Sequence, residues 1–137
     1  MIVFGSSIIK EPLLSLKPNR FINLHLGLSP YYRGSGTNFW PFVNNELDYV
    51  GATILHLDPG IDTGDIIDQI KFRIKINDTA LDNYKKLMKF STILFRKNLN
   101  NIINNKYNLR KQILSNGLYF NRKSVNYKNK LNIIMNK

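Results

Sequence analysis

Asn23 and His25 stand one residue apart in the run Phe21-Ile22-Asn23-Leu24-His25. On an extended strand a period of 2 sends both side chains to the same face. A carboxamide and an imidazole side by side present hydrogen-bonding groups to whatever lies on that face. A Pro- and Gly-containing loop follows the pair, and in open α/β sheets ligands bind beyond the carboxyl ends of strands. The pair serves equally as two satisfied polar residues at a strand end, since buried amides and imidazoles need partners in any case.

The second element is Asp58-Pro59-Gly60-Ile61-Asp62-Thr63-Gly64-Asp65, a loop by every local signal. Two glycines let the backbone turn sharply or approach a ligand, and Asp62 and Asp65 supply carboxylates. A tight surface loop rich in acceptors is the alternative. The spacing of Asp58, Asp62, Asp65 and Asp68 does not match a calcium loop, so no metal is expected. Ser6, Ser7 and Ser29 lie in no Gly-x-Ser-x-Gly elbow, which argues against serine hydrolysis. Gly34-Ser35-Gly36 is a lone Gly-x-Gly and predicts no dinucleotide site.

The elements that must position these groups follow from patterning. Met1 to Phe4 is a continuous apolar run, suited to a strand covered on both faces. Glu11 to Leu16 reads as a short helix and Phe21 to His25 as a strand. Ser29 to Gly36 reads as loop, and Thr37 caps a helix reaching Asn45. Strands are expected over Tyr49 to Leu57 and Ile66 to Ile76. A long helix from Asn77 or Asp78 to Ile103 carries the stripe Leu81, Tyr84, Leu87, Met88, Leu94, Phe95, Leu99 and Ile102. Leu118-Tyr119-Phe120 is a short apolar segment in a Lys/Asn-rich end.

At 137 residues the chain has room for one ordinary domain, and 43% hydrophobic residues can build its core. No apolar run approaches a membrane span of roughly 18 residues, and Met1 to Lys10 lacks a secretory signal's features. With no cysteine, disulfides, thiolate metal sites and cysteine nucleophiles are excluded, and a cytoplasmic address is expected. The net charge of +11 is lopsided: residues 1–82 hold all nine acids and seven Lys/Arg, residues 83–137 thirteen Lys/Arg and no acid. That half suits either a solvated basic face or an arm for a polyanion.

Taken in order, Asn23-Leu24-His25, Ser29-Pro30, Tyr32-Arg33-Gly34, Gly51-Ala52-Thr53 and Leu57-Asp58-Pro59-Gly60-Ile61-Asp62-Thr63-Gly64-Asp65 resemble the folate-dependent formyltransferases. These include the methionyl-tRNA, amino-sugar and glycinamide ribonucleotide enzymes. The resemblance implies an α/β fold: a partial Rossmann-like formyltransferase unit with an open, mostly parallel sheet lacking its N-terminal half. It divides the chain into a truncated catalytic domain, 1–103, and a basic extension, 104–137. It implies 10-formyltetrahydrofolate as cosubstrate, Asn23, His25 and Asp62 as catalytic residues, and no metal. It places Gly5, Ser6, Ser7, Ile8 and Ile9 with Asp58, Gly60 and Ile61 around the pterin. The implied reaction moves a formyl group to an amine, with an amino sugar or methionyl-tRNA as acceptor and a glycinamide ribonucleotide as alternative. Leu26-Gly27-Leu28-Ser29-Pro30 departs from the family's usual Ser-Leu-Leu-Pro. Two other readings stand beside it: a non-catalytic fragment that meets a partner or itself through an exposed sheet edge, and a basic RNA-binding module.

Overall fold

The structure, a computed structural model, describes residues 1–75, 77–121 and 123. Its main sheet has the strand order β1 (Ile2–Val3), β2 (Ile22–His25), β4 (Gly51–His56) and β5 (Ile66–Lys71). A second sheet pairs β3 (Tyr32–Gly34) with β6 (Leu118–Phe120). Among the described residues are three α-helices, α1 (Leu13–Leu16), α2 (Trp40–Val43) and α3 (Ala80–Ile103), and two single 3-10 turns, Leu47–Tyr49 and Leu114–Asn116.

The α/β class holds, but the sheet is mixed rather than mostly parallel. β1 runs parallel to β2, while β2–β4 and β4–β5 are antiparallel. The connections explain the directions of β1–β2 and β4–β5. Parallel neighbours need a crossover of about a dozen residues or more. The stretch from β1 to β2 provides one and includes α1, whereas the loop from Leu57 to Asp65 is too short and can only return antiparallel. β1 lies at the sheet's edge, with Met1, Ile2 and Phe4 exposed.

Alternation along β2 decides the two faces of the sheet. Ile22 and Leu24 join Val50, Ala52, Ile54, Phe72, Leu87, Leu94 and Ile102 in the core beneath α3. Asn23 and His25 therefore point to the opposite face. α3 begins at a capping box: the Thr79 hydroxyl accepts from the Asp82 N–H, and the Asp82 carboxylate from the Thr79 N–H.

The buried stripe of α3 is narrower and more polar than its apolar spacing predicts. It consists of Asn83, Leu87, Ser91, Leu94, Asn98 and Ile102, while Leu81 and Tyr84 are exposed. Asn98 belongs there because its Nδ2 donates to Asp68 on β5 at 2.8 Å and to the Leu94 carbonyl at 2.9 Å. Burial opposes charge on Asp68, but hydrogen bonds from Asn98, the Gln69 N–H and Lys97 outweigh it and hold this carboxyl below its ordinary range. A lowered folded pKa means that Asp68 stabilises fully above the unfolded value of about 4 and loses that contribution as pH falls through the folded one. Denaturant unfolding at about pH 6 and about pH 3 is expected to show a smaller acid loss in Asp68→Asn than in the wild type. An equal loss in both would remove Asp68 from the acid response.

Residues 104–121, expected to open the basic extension, lie back on the unit. Ile66 and Arg110 exchange backbone hydrogen bonds at 2.8 and 2.9 Å, and β6 pairs in parallel with β3. Residues 122 and 124–137, and the expected strand end at Ile76, lie outside the described residues. Among the described residues no helix is long and apolar enough to cross a membrane.

Candidate functional site

Two strand positions and one loop residue converge on the face opposite α3. Asn23 Nδ2 donates to Asp62 Oδ1 at 3.1 Å, and His25 Nδ1 lies 3.5 Å from Asp62 Oδ2. The Gly34 N–H donates to the same Oδ2 at 2.9 Å. Asp62 adopts a left-handed backbone, φ 53°, which a short polar side chain tolerates better than most. Its loop is braced on both sides. Thr63 Oγ1 donates to Asp58 Oδ1 at 2.6 Å, and Gln112 Nε2 donates to the carbonyls of Asp62 and Gly64 at 3.0 and 2.6 Å.

His25 is held from its other edge. Nε2 donates to the Tyr32 carbonyl at 3.0 Å, which leaves the Nδ1 edge toward Asp62. Tyr32 is itself immobilised: its hydroxyl donates to Glu46 and accepts from Asn44 Nδ2 at 2.9 Å. Burial and the Glu46 carboxylate push the Tyr32 phenol well above its ordinary pKa, so it stays a donor. The loop after His25 is tied down by the fully buried Thr53, whose hydroxyl donates to the Gly27 carbonyl at 2.7 Å and accepts from the Ser29 N–H at 3.1 Å.

Gly27 is where this arrangement leaves no room. A Cβ there would collide with His25 Nε2 and sit 2.7 Å from Thr37 Cβ. Gly27→Ala is expected to displace the imidazole and cost about 10²-fold in turnover, the penalty of a misplaced group. A shifted His25 ring signal by NMR in a folded protein checks the cause. An unmoved ring with normal turnover would contradict it.

The three side chains open into a cleft of about 690 Å³. Its lining includes Gly5, Ser6, Ser7, Ile8 and Ile9 after β1, and Asp58, Gly60 and Ile61 after β4. The residues that the resemblance assigns to catalysis and to the pterin thus border one space, whereas Asp65 does not. Tyr119, Phe120 and Asn121 border it as well. The sequence reading did not include these last three, nor the Tyr32 carbonyl, the Gly34 N–H, Thr53 or Gln112. Backbone groups carry no residue-type signal, and β6 reaches the cleft only by pairing with the distant β3.

Other polar groups stand apart. His56 Nε2 lies 3.1 Å from the Tyr107 hydroxyl, and burial lowers the pKa of its ring. His56 does not border the cleft. Asp65 pairs with the exposed Lys111 at 2.9 Å. Asp65→Asn is expected to change turnover no more than about twofold, because an exposed pair is worth roughly 0–1 kcal/mol. A loss equal to that of an Asp62 variant would transfer the role to Asp65. Among the described residues no three His, Asp or Glu side chains cluster as metal ligands.

Chemically, the site presents an amide donor, an imidazole edge and a braced carboxylate around one point. Such a set can stabilise an oxyanion and move a proton beside it.

Comparison with known proteins gives this geometry a context. Residues 1–99 match the family model described as formyl transferase. The chain is 33% identical over 112 residues to a methionyl-tRNA formyltransferase of Clostridium tetani, covering 82% of this chain and 36% of that protein. Its structure is similar to WlaRD, a sugar 3N-formyl transferase solved in the presence of dTDP and 5-N-formyl-THF, with TM-score 0.82 and 43% identity over 91% of this chain and 45% of that one. It is also similar to PseJ of Anoxybacillus kamchatkensis, solved with UDP-4,6-dideoxy-4-formamido-L-AltNAc and tetrahydrofolate, with TM-score 0.82, 31% identity, and 89% and 64% coverage. The chain spans about a third of the length of the methionyl-tRNA relative and about half that of WlaRD.

Proposed function

The chain belongs to the formyl transferase family, and from that premise we propose that it transfers a formyl group from 10-formyltetrahydrofolate to the amine of an amino sugar. The convergence of Asn23, His25 and Asp62 at one end-point of the cleft carries this reading. The acceptor's nitrogen lone pair attacks the formyl carbon, and the carbonyl π electrons move to oxygen. Asn23 Nδ2–H and the His25 imidazole donate to that oxyanion. Asp62 takes the proton from the attacking nitrogen and delivers it, directly or through water, to N10 of the folate as the C–N10 bond breaks. Tetrahydrofolate and the formamide are the products.

The folate would lie along Gly5 to Ile9 and Asp58 to Ile61, which border the same cleft. The folates in the structures of WlaRD and PseJ support that cosubstrate, and the dTDP of the first and the UDP-linked formamido sugar of the second support the acceptor class. Methionyl-tRNA is the second reading, favoured by the Clostridium tetani relative.

Incubation with 10-formyltetrahydrofolate and dTDP-3-aminofucose tests the proposal. Mass spectrometry is expected to show one formyl group gained by the sugar amine, with tetrahydrofolate released in equal amount. Formylation of methionyl-tRNA alone would favour the second reading.

A further inference from the structure

Tyr119 is a large side chain bordering the cleft that the proposed reaction leaves unused. Its neighbour Phe120 is anchored: the ring stacks on Trp40 with centroids 4.3 Å apart and on Tyr32 at 5.8 Å. Tyr119, by contrast, remains 48% exposed. Among the described residues its ring stacks on no other aromatic side chain and its hydroxyl has no hydrogen-bond partner. An aromatic ring left half in solvent has apolar area that a ligand can still bury.

Its position is fixed relative to the reacting groups. Strand pairing sets Gly34 opposite Phe120, and the Ser35 N–H donates to the Phe120 carbonyl at 2.8 Å. A Cβ on Gly34 would lie 2.9 Å from Tyr119 Cε2, and Gly34 has φ +93°, a conformation suited to glycine. Gly34 is the residue whose N–H holds Asp62 Oδ2. The Tyr119 ring therefore lies against the residue that holds the carboxylate assigned to the attacking amine.

We infer that Tyr119 is the acceptor platform: its ring packs against the C–H face of the amine-bearing hexose of a nucleoside-diphosphate amino sugar. The inference rests on the formyl-transfer reading and names a specificity residue within it. A hexose ring offers an apolar C–H face and directs its amine from the rim, which suits a flat aromatic wall beside a carboxylate. The similarity to WlaRD covers 91% of the chain, far more than the 99 residues matched by the family model, so it runs on into the stretch that carries β6.

Titrations of wild type, Tyr119→Ala and Tyr119→Phe with dTDP-3-aminofucose and, separately, with 5-formyltetrahydrofolate test the assignment. Loss of the ring is expected to weaken the amino-sugar nucleotide about tenfold, the size of one aromatic packing contact. Tyr119→Phe is expected to bind it within about twofold, because packing needs the ring and not the hydroxyl. Folate affinity stays unchanged in both variants. Wild-type affinity for the sugar in Tyr119→Ala overturns the inference, as does equal loss of folate, which would mark a merely structural ring. Folate binding without any sugar binding, or tighter ring-dependent binding of methionine amide, overturns the acceptor class alone. Absence of folate binding in the wild type overturns the formyl-transfer reading and this inference with it.

Discussion

Asp62→Asn is expected to reduce formyl transfer by about 10³-fold, the middle of the range for removing a positioned acid–base group. The change is nearly isosteric, so the loop stays braced by Gln112 and by the Thr63–Asp58 bond. The chemistry does not survive it. Asp62 accepts from Asn23 on one oxygen and from the Gly34 N–H on the other. An amide keeps only one acceptor, so its NH2 must face a donor on one side or the other. The substituted residue also cannot take the ammonium proton from the tetrahedral intermediate. Single-turnover release of tetrahydrofolate measures the loss, with circular dichroism to verify the fold. Turnover within about threefold of wild type would take proton transfer away from this residue.

The second large effect is expected for His25→Ala, about 10²–10³-fold in turnover, the size of one lost oxyanion donor. The ring is buried and fixed between the Tyr32 carbonyl and Asp62, so its removal also leaves that carbonyl without a donor. A loss of stability is expected alongside, about 1–3 kcal/mol for an unsatisfied buried group. The two effects separate experimentally. Denaturant unfolding reads the stability, and formylation well below the unfolding midpoint reads the chemistry. Normal turnover in a folded His25→Ala protein would mean that Asn23 suffices as oxyanion donor.

The part of this site legible in the sequence rested on a short-range rule. Period 2 along a strand puts Asn23 and His25 on one face wherever that strand ends up. Bringing Asp62 to them was a matter of family pattern, since nothing in residues 57–65 alone says which way the loop folds. The supporting groups are of another kind. The Tyr32 carbonyl and the Gly34 N–H are backbone atoms, and every residue has them. β3 and β6 are three residues each and far apart in sequence, so no local pattern announces their pairing.

α3 shows the same limit. Its existence, and its end near Ile103, follow from apolar spacing. Which face it buries does not, because Asn98 is drawn inward by Asp68, a partner on another element. Strand direction was misjudged as mostly parallel because apolar runs signal burial on both faces, not polarity of pairing. The α/β class survived because helix and strand periodicities differ. The antiparallel β4–β5 pair follows from the short loop between its strands, which patterning does not weigh.

The central claim is that one formyl carbon sits among Asn23, His25 and Asp62. NMR with 5-formyltetrahydrofolate labelled with carbon-13 at the formyl group tests it most directly. Cross-peaks from the formyl proton to the His25 ring and the Asn23 side-chain amide are predicted, and their disappearance when unlabelled folate competes. A bound folate whose formyl proton contacts neither residue would contradict the account.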